Sequence, residues 1–220
     1  MALAGFIWAV VLLVSYAHPE RQAFKRNAIL AFVFEGIAAI VAGVFHQEYA
    51  VETGTSSQAC WRASMAILTL AGLFRMLSAL DILQLQPRAA RVARILTMVL
   101  YGGIAILLLA IKLPFLVGGF FGGVLPVLVF QTVLTVRRCQ GGGGELNRAW
   151  GVFTLGFVLF LAGVGSQVTG AGPCGTKCPV DCPWDAPNFN HNAVFHVFQL
   201  FFVVLSGVAV RALLSIEPKG

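Results

Sequence analysis

Long apolar stretches separated by short polar segments dominate the chain. Most have the roughly 20 residues that a helix needs to cross ~30 Å of hydrocarbon. Period-two alternation is absent, so helices are favoured over a β-barrel. The pattern predicts an all-α, polytopic membrane protein, a seven-transmembrane helix bundle forming one domain over residues 1–220. The seven stretches are Ala2 to Ala17, Ala28 to Phe45, Trp61 to Leu80, Ile95 to Ile111, Leu113 to Val136, Ala149 to Gly170 and Ala193 to Leu214.

The first apolar stretch is short enough to resemble the core of a secretory signal peptide. The small residues Ser15 and Ala17 stand before a polar segment, as at a cleavage site. The stretch lacks the basic segment that precedes such a core in signal peptides. We therefore expect a first helix that is retained.

Composition supports a membrane protein. Hydrophobic residues make up 58% of the chain and charged residues only 11%, with a mean hydropathy of +0.85. A soluble domain carries roughly 25% charged residues. The net charge of +6 comes from short basic clusters between apolar stretches. These clusters favour a lipid bilayer as the partner and exclude a basic face for nucleic acid.

Basic residues concentrate in every second connection between the apolar stretches. By the positive-inside rule these connections face the cytoplasm. The sequence therefore predicts an amino terminus that is outside or lumenal and a cytoplasmic carboxyl terminus. The residues concerned are Arg21, Lys25, Arg26, Arg88, Arg91, Arg94, Arg137, Arg138, Arg148, Arg211 and Lys219, whereas the alternate connections hold little besides Arg62, Lys112 and Lys177.

Four of the five cysteines fall in connections predicted to be outside. They are Cys60, Cys174, Cys178 and Cys182, and only Cys139 lies on the cytoplasmic side. An even number on an oxidising face predicts two disulfides, one of them tying Cys60 to the last outer connection. The even spacing of the last three cysteines leaves a zinc site as the alternative. We expect Cys139 to be a free thiol.

Two opposite charges lie inside the predicted spans. Glu35 and Arg75 both fall roughly 8 to 11 Å from the predicted cytoplasmic boundary. Unpaired, each would cost at least ~2.5 kcal/mol, so we expect an intramembrane ion pair. The pair either fixes helix register or takes part in function. We favour a structural role because the predicted spans contain no second acidic residue for a relay.

Three histidines share the predicted outer membrane depth. His46 ends the second span, and His191 and His196 open the last one. Three protein ligands and a water describe a catalytic zinc site, so zinc is the candidate cofactor. The alternative is an outer-leaflet pocket of hydrogen-bonded histidines, because His191 and His196 stand ~140° apart if both are helical. They converge if His191 precedes the helix. Other polar residues of this pocket are Asn192, Gln199, Gln167, Trp61 and Arg62.

These histidines and the seven predicted helices resemble the alkaline ceramidase and adiponectin-receptor (CREST) superfamily of membrane hydrolases. That family has Ser-x-x-x-His on the second helix, an aspartate near the third and His-x-x-x-His on the seventh. This chain has Ala42-x-x-x-His46 and Asn192-x-x-x-His196, with His191 one position earlier and no aspartate near Trp61. The resemblance implies a zinc-activated water that hydrolyses an amide of a lipid-like substrate.

Two hypotheses about function follow, and whether the protein is an enzyme stays open between them. The first is a metal-dependent hydrolase of a lipid-like substrate. The second is a non-catalytic membrane bundle that acts as an assembly subunit, with a membrane-protein partner or its own copies, or as a small-solute pathway. Glycine pairs and prolines in the fourth and fifth stretches, such as Gly122-Gly123 and Pro126, suit a transport pathway or tight helix packing.

Overall fold

The computed structural model describes residues 1–44, 55–111, 115–141, 143–174 and 191–216, and the side chains of 1–44, 58–111, 117–141, 143–166 and 194–216. These residues form helices and no strands. The helices are α1 (Ala2–Val14), a 3₁₀ turn (Pro19–Arg21), α2 (Gln22–Val44), α3 (Thr55–Leu83), α4 (Pro87–Ala110), α5 (Phe115–Gly119), a π-helical segment (Phe120–Val124), α6 (Leu125–Cys139), α7 (Gly144–Cys174) and α8 (His191–Leu214).

Six helical segments among the described residues are long and apolar enough to cross a membrane. One of them, Val117–Cys139, begins in α5 and continues through the π-helical segment and α6. The prediction of a polytopic all-α membrane protein is confirmed. The first of the seven predicted spans is not among these six segments. Its helix, α1, has 13 residues and a length of only ~20 Å. It is shorter than the ~30 Å of the hydrocarbon core.

Several helices extend beyond their apolar stretches. The second predicted span begins at Ala28, whereas α2 already begins at Gln22. The third predicted span ends at Leu80, but α3 continues to Leu83 and includes Asp81. Cys174, which we predicted to lie in a loop, is the last residue of α7. Apolar residues mark the part of a helix inside hydrocarbon, while backbone hydrogen bonds carry the helix on into the polar interface.

Six helices pack side by side in a ring. Along the ring, α1 contacts α2, α2 contacts α3, α3 contacts α6, α6 contacts α7, α7 contacts α8, and α8 returns to α1. Helix α4 lies outside this ring and packs mainly on α3. In the apolar part of α4 that is long enough to span the membrane, only 17% is buried, against 50% in the corresponding part of α3. Helix α3 is therefore central to the bundle, and α4 is peripheral.

The bundle has two chemically different ends. At one end Arg137 Nη2 donates to Gln84 Oε1 at 2.5 Å, and Arg21 Nε donates to the carbonyl of Ile216 at 3.3 Å. We call this the basic end, because Arg88, Arg91, Arg94, Arg137, Arg138, Arg148 and Arg211 also lie in the helix turns there. The opposite end is formed by the ends of α2, α7 and α8 at Val44, Cys174 and His191 and by the start of α3 at Thr55.

Glycines allow the closest helix contacts in the ring. A Cβ atom on Gly72 of α3 would lie 2.5 Å from the carbonyl oxygen of Phe121, and one on Gly122 would lie 2.8 Å from the backbone of Leu68. Helix α3 and the π-helical segment thus touch backbone to backbone. At the α1–α8 contact, a Cβ on Gly207 would overlap the indole ring of Trp8. Small residues permit such close approach between membrane helices.

Candidate functional site

The opposite end holds the residues predicted to form the histidine pocket. His196 lies in the second turn of α8, half-buried, with its ring centroid 5.4 Å from that of Phe195. It shares one side of α8 with the half-buried Gln199 and the buried Val203 and Ser206. The buried members of this side lie in the protein interior. The helix register therefore directs His196 toward the interior of the bundle.

The other two histidines are less fully described. His46 lies outside the described residues, as do the side chains of His191, Asn192 and Gln167. His191 is the first residue of α8 and stands five positions before His196. The two positions therefore stand ~140° apart around the helix axis. Our condition for convergence, that His191 precedes the helix, is not met.

On α3, the predicted pocket residues Trp61 and Arg62 occupy the second turn. Trp61 packs against Met65, Ala66, Ala105 and Leu108, a cluster between α3 and α4. Its side chain thus contributes to the packing of α4. Arg62 is half-buried, and its buried Nε atom has no hydrogen-bond partner in the described structure.

The cysteines are described in part. Cys60 is a half-buried thiol whose Sγ lies 3.5 Å from the carbonyl oxygen of Val41, and it forms no disulfide with a described cysteine. Its predicted partners Cys178 and Cys182 and the side chain of Cys174 lie outside the described residues. The predicted disulfides stay a prediction. Cys139 at the end of α6 is an exposed free thiol.

Metal ligands do not gather in the part of the chain that the structure describes. Within it, no three His, Cys, Asp or Glu side chains lie close enough to hold a metal ion. His46 and the side chain of His191 are outside this part. A zinc site built on them therefore stays a hypothesis.

The structure brings Glu35 and Arg75 together inside the bundle. Arg75 Nη2 donates to Glu35 Oε2, with side-chain exposures of 11% and 6%. The guanidinium group also lies 5.2 Å from the ring centroid of Phe202. The charges of α2 and α3 are thus neutralised within the bundle, and the aromatic ring attaches this pair to α8.

A second polar group inside the bundle escaped the sequence analysis. Asp81 accepts hydrogen bonds from Asn27 Nδ2 at 2.9 Å and from Arg94 Nη2 at 2.5 Å. It joins α2, α3 and α4 near the basic end. The third predicted span ends at Leu80, one residue before Asp81. The sequence signal that could have revealed this group is an acidic and a basic residue, Asp81 and Arg94, on either side of a short polar turn.

A cleft at the basic end was also not predicted. It lies between α1, α7 and α8 and has a volume of about 390 Å³. Sequence reasoning used its arginines only to orient the bundle in the membrane. Its polar lining consists of Ser15, Tyr16, Glu145, Arg148, Arg211 and Ser215, and its apolar lining of Ala149, Val152, Val208, Ala209 and Ala212.

Residues 1–215 match the model of a family described as a family of unknown function (DUF6962). The match covers nearly the whole chain, so the protein belongs to this family. No curated protein and no solved structure matches it.

Proposed function

We propose that the opposite end of the bundle forms a polar pocket for a lipid-like ligand, with His46, His191 and His196 as its central residues. In this proposal the basic end faces the cytoplasm, so the pocket lies in the outer leaflet. If α1 is a seventh span, the amino terminus is outside and the carboxyl terminus is cytoplasmic. Asn192, Gln199, Gln167, Trp61 and Arg62 complete the polar surroundings.

The position of His196 carries this proposal. Its imidazole is half-buried, and its helix register places it with Val203 and Ser206, which are buried. The buried Arg62 Nε at the same end adds a donor without a partner among the described residues. Polar groups that face the inside of a membrane bundle are costly without partners, and such positions are functional candidates.

One candidate activity is hydrolysis of the bound lipid-like molecule. A zinc ion held by the three histidines would supply an activated water, in line with the resemblance to the CREST superfamily. In this chain His196 would provide one ligand from α8 and His46 one from the segment after α2. Gln199, one turn further along α8, would orient the polar part of the substrate.

A non-catalytic role is the second candidate, and two observations favour it. His191 and His196 stand ~140° apart on α8, which opposes their binding one metal ion. The charges of Glu35 and Arg75 are engaged in helix packing, because they pair with each other and Arg75 lies over the ring of Phe202. In this role the pocket would bind its ligand without catalysing a reaction, and the protein would be an assembly subunit or a small-solute pathway.

Zinc analysis of purified protein separates the two candidates. The hydrolase requires about one zinc per chain, falling sharply in His46→Ala and His196→Ala. His18→Ala is the matched control, because His18 lies at the basic end, where its backbone N–H donates to Leu214. Zinc content that is low in the wild type and unchanged in all three variants would exclude the hydrolase and support the non-catalytic role. Equal zinc loss in His18→Ala would mean that the metal is held elsewhere.

A further inference from the structure

The cleft at the basic end has the shape of a binding site that opens between two helices. Helices α1 and α7 both pack on α8, which leaves α8 as the floor between them. Ala209 of this floor and Ala149 of α7 are buried. The volume of about 390 Å³ falls in the range of ligand pockets, roughly 300 to 1,000 Å³. The cleft is therefore large enough for the polar headgroup of a lipid and the adjacent part of its acyl chains.

Two arginines line the cleft without protein partners in the described structure. Arg148 and Arg211 form no ion pair and no side-chain hydrogen bond with any described residue. Arg94 and Arg137, at the same end, do have such partners. With Glu145 the cleft carries two positive charges and one negative charge, a net charge of +1. A ligand with one negative charge would balance it.

The depth of these arginines matches that of a lipid phosphate. Arg148 is the fifth residue of α7, and Arg211 lies three residues before the end of α8. At 1.5 Å per residue, they stand about 6 Å and about 4.5 Å inside their helix ends. Arginine side chains at this depth extend to the boundary between hydrocarbon and headgroups. Basic pockets between membrane helices at that boundary bind anionic headgroups.

Three other polar groups of the cleft, Ser15, Ser215 and Glu145, can accept hydrogen bonds. The Ser15 hydroxyl donates to the carbonyl of Val11 at 2.6 Å, and the Ser215 hydroxyl donates to that of Ala212 at 3.0 Å. Their oxygen lone pairs and the Glu145 carboxylate are left as acceptors. The lining thus offers donors for a phosphate and acceptors for headgroup hydroxyls.

We propose that this cleft binds an anionic phospholipid with a hydroxylated headgroup, of the phosphatidylglycerol type. Arg148 and Arg211 bind the phosphate, while Glu145 and the two serine hydroxyls accept hydrogen bonds from the headgroup. The acyl chains follow the apolar lining at Val152 and Val208 into the bilayer. This site is separate from the histidine pocket and does not depend on the proposed function there.

Native mass spectrometry of the detergent-purified full chain tests the proposal, with phosphatidylglycerol and phosphatidylcholine as probes. The wild type should bind phosphatidylglycerol in preference to phosphatidylcholine. Arg148→Gln/Arg211→Gln should weaken phosphatidylglycerol binding roughly tenfold or more, because it removes charge-assisted hydrogen bonds. Arg88→Gln/Arg91→Gln is the matched control, since it removes two exposed arginines of the same end that lie outside the cleft. This control should bind as the wild type does.

Two further arms separate the lipid from other ligands. Glu145→Gln should retain or strengthen phosphatidylglycerol binding, because it removes the negative charge that repels the phosphate, while the new amide oxygen still accepts a hydrogen bond from the headgroup. Soluble glycerol 3-phosphate at millimolar concentration should not displace the lipid. The proposal is overturned if phosphatidylcholine binds equally well, if the cleft variant binds phosphatidylglycerol as tightly as the control does, if Glu145→Gln weakens binding, or if glycerol 3-phosphate displaces the lipid.

Discussion

Removing one partner of the Glu35–Arg75 ion pair should destabilise the protein more than any change at an exposed charge. The two side chains are only 6% and 11% exposed. Loss of one partner leaves the other charge buried and unpaired, which costs about 3–5 kcal/mol. We therefore expect Glu35→Gln and Arg75→Gln each to lower the free energy of unfolding by about 3–5 kcal/mol.

The second ion pair of the bundle provides an internal comparison. The Arg94 side chain is 45% exposed, and Asp81 keeps its hydrogen bond from Asn27 when Arg94 is replaced. Asp81 is itself only 6% exposed, so this pair lies between an exposed ion pair, which contributes about 0.2–1 kcal/mol, and a fully buried one. Arg94→Gln should therefore cost about 1–2 kcal/mol, less than Arg75→Gln.

A double variant distinguishes the ion pair from general damage to the core. Glu35→Leu/Arg75→Met removes both charges and restores apolar contacts, so it should cost much less than the sum of the single changes. The measurement is reversible unfolding in mixed detergent micelles, with increasing sodium dodecyl sulfate, followed by circular dichroism. Additive effects, or a cost for Arg75→Gln no larger than that for Arg94→Gln, would refute the reasoning.

Three further predictions concern the packing of the helices. Gly72→Ala should lower the free energy of unfolding by about 1–3 kcal/mol in the same assay, because its Cβ would press on the carbonyl of Phe121. Gly103→Ala is the control and should be tolerated, since nothing lies within 4 Å of its added Cβ. Equal costs for the two variants would contradict this prediction. Tyr101→Phe should leave stability unchanged or raise it by about 1 kcal/mol, because the buried hydroxyl has no hydrogen-bond partner among the described residues; a loss would mean that the hydroxyl is bound. Gly207→Ala should expose the Trp8 indole, which packs on that glycine, and so increase its quenching by brominated lipid; unchanged quenching would show that α8 adapts around the new methyl group.

The amino-acid pattern predicts the class of fold because the bilayer imposes simple rules. Stretches of about 20 apolar residues must form helices in hydrocarbon, and the chain has such stretches throughout. The depth of Glu35 and Arg75 also follows from counting residues, and the structure joins the two side chains. Helix ends are harder to predict, as Asp81 shows, because polar residues in the interface do not stop a helix.

The neighbours of each helix could not be predicted from the sequence. Every span is apolar on most sides, so hydropathy does not tell which side faces protein and which faces lipid. Nothing in the apolar stretch Ile95 to Ile111 indicated that α4 would lie outside the ring. The contact of Gly122 with Leu68 and the cleft between α1, α7 and α8 likewise depend on three-dimensional positions. Such features come from helix packing, which local pattern does not encode.

The contact between α1 and α8 has a consequence for how the protein is made. A ribosome delivers the helices in chain order, so the hairpin of α2 and α3 enters the membrane with the Glu35–Arg75 pair already able to form. Its two charges then need no later helix to neutralise them. Contacts that close the ring wait for α8, the last helix of the ring to be synthesised, which brings Gly207 to Trp8 and Phe202 to Arg75. Until that moment, the flank of α1 and α2 that contacts α8 in the finished bundle is not yet packed.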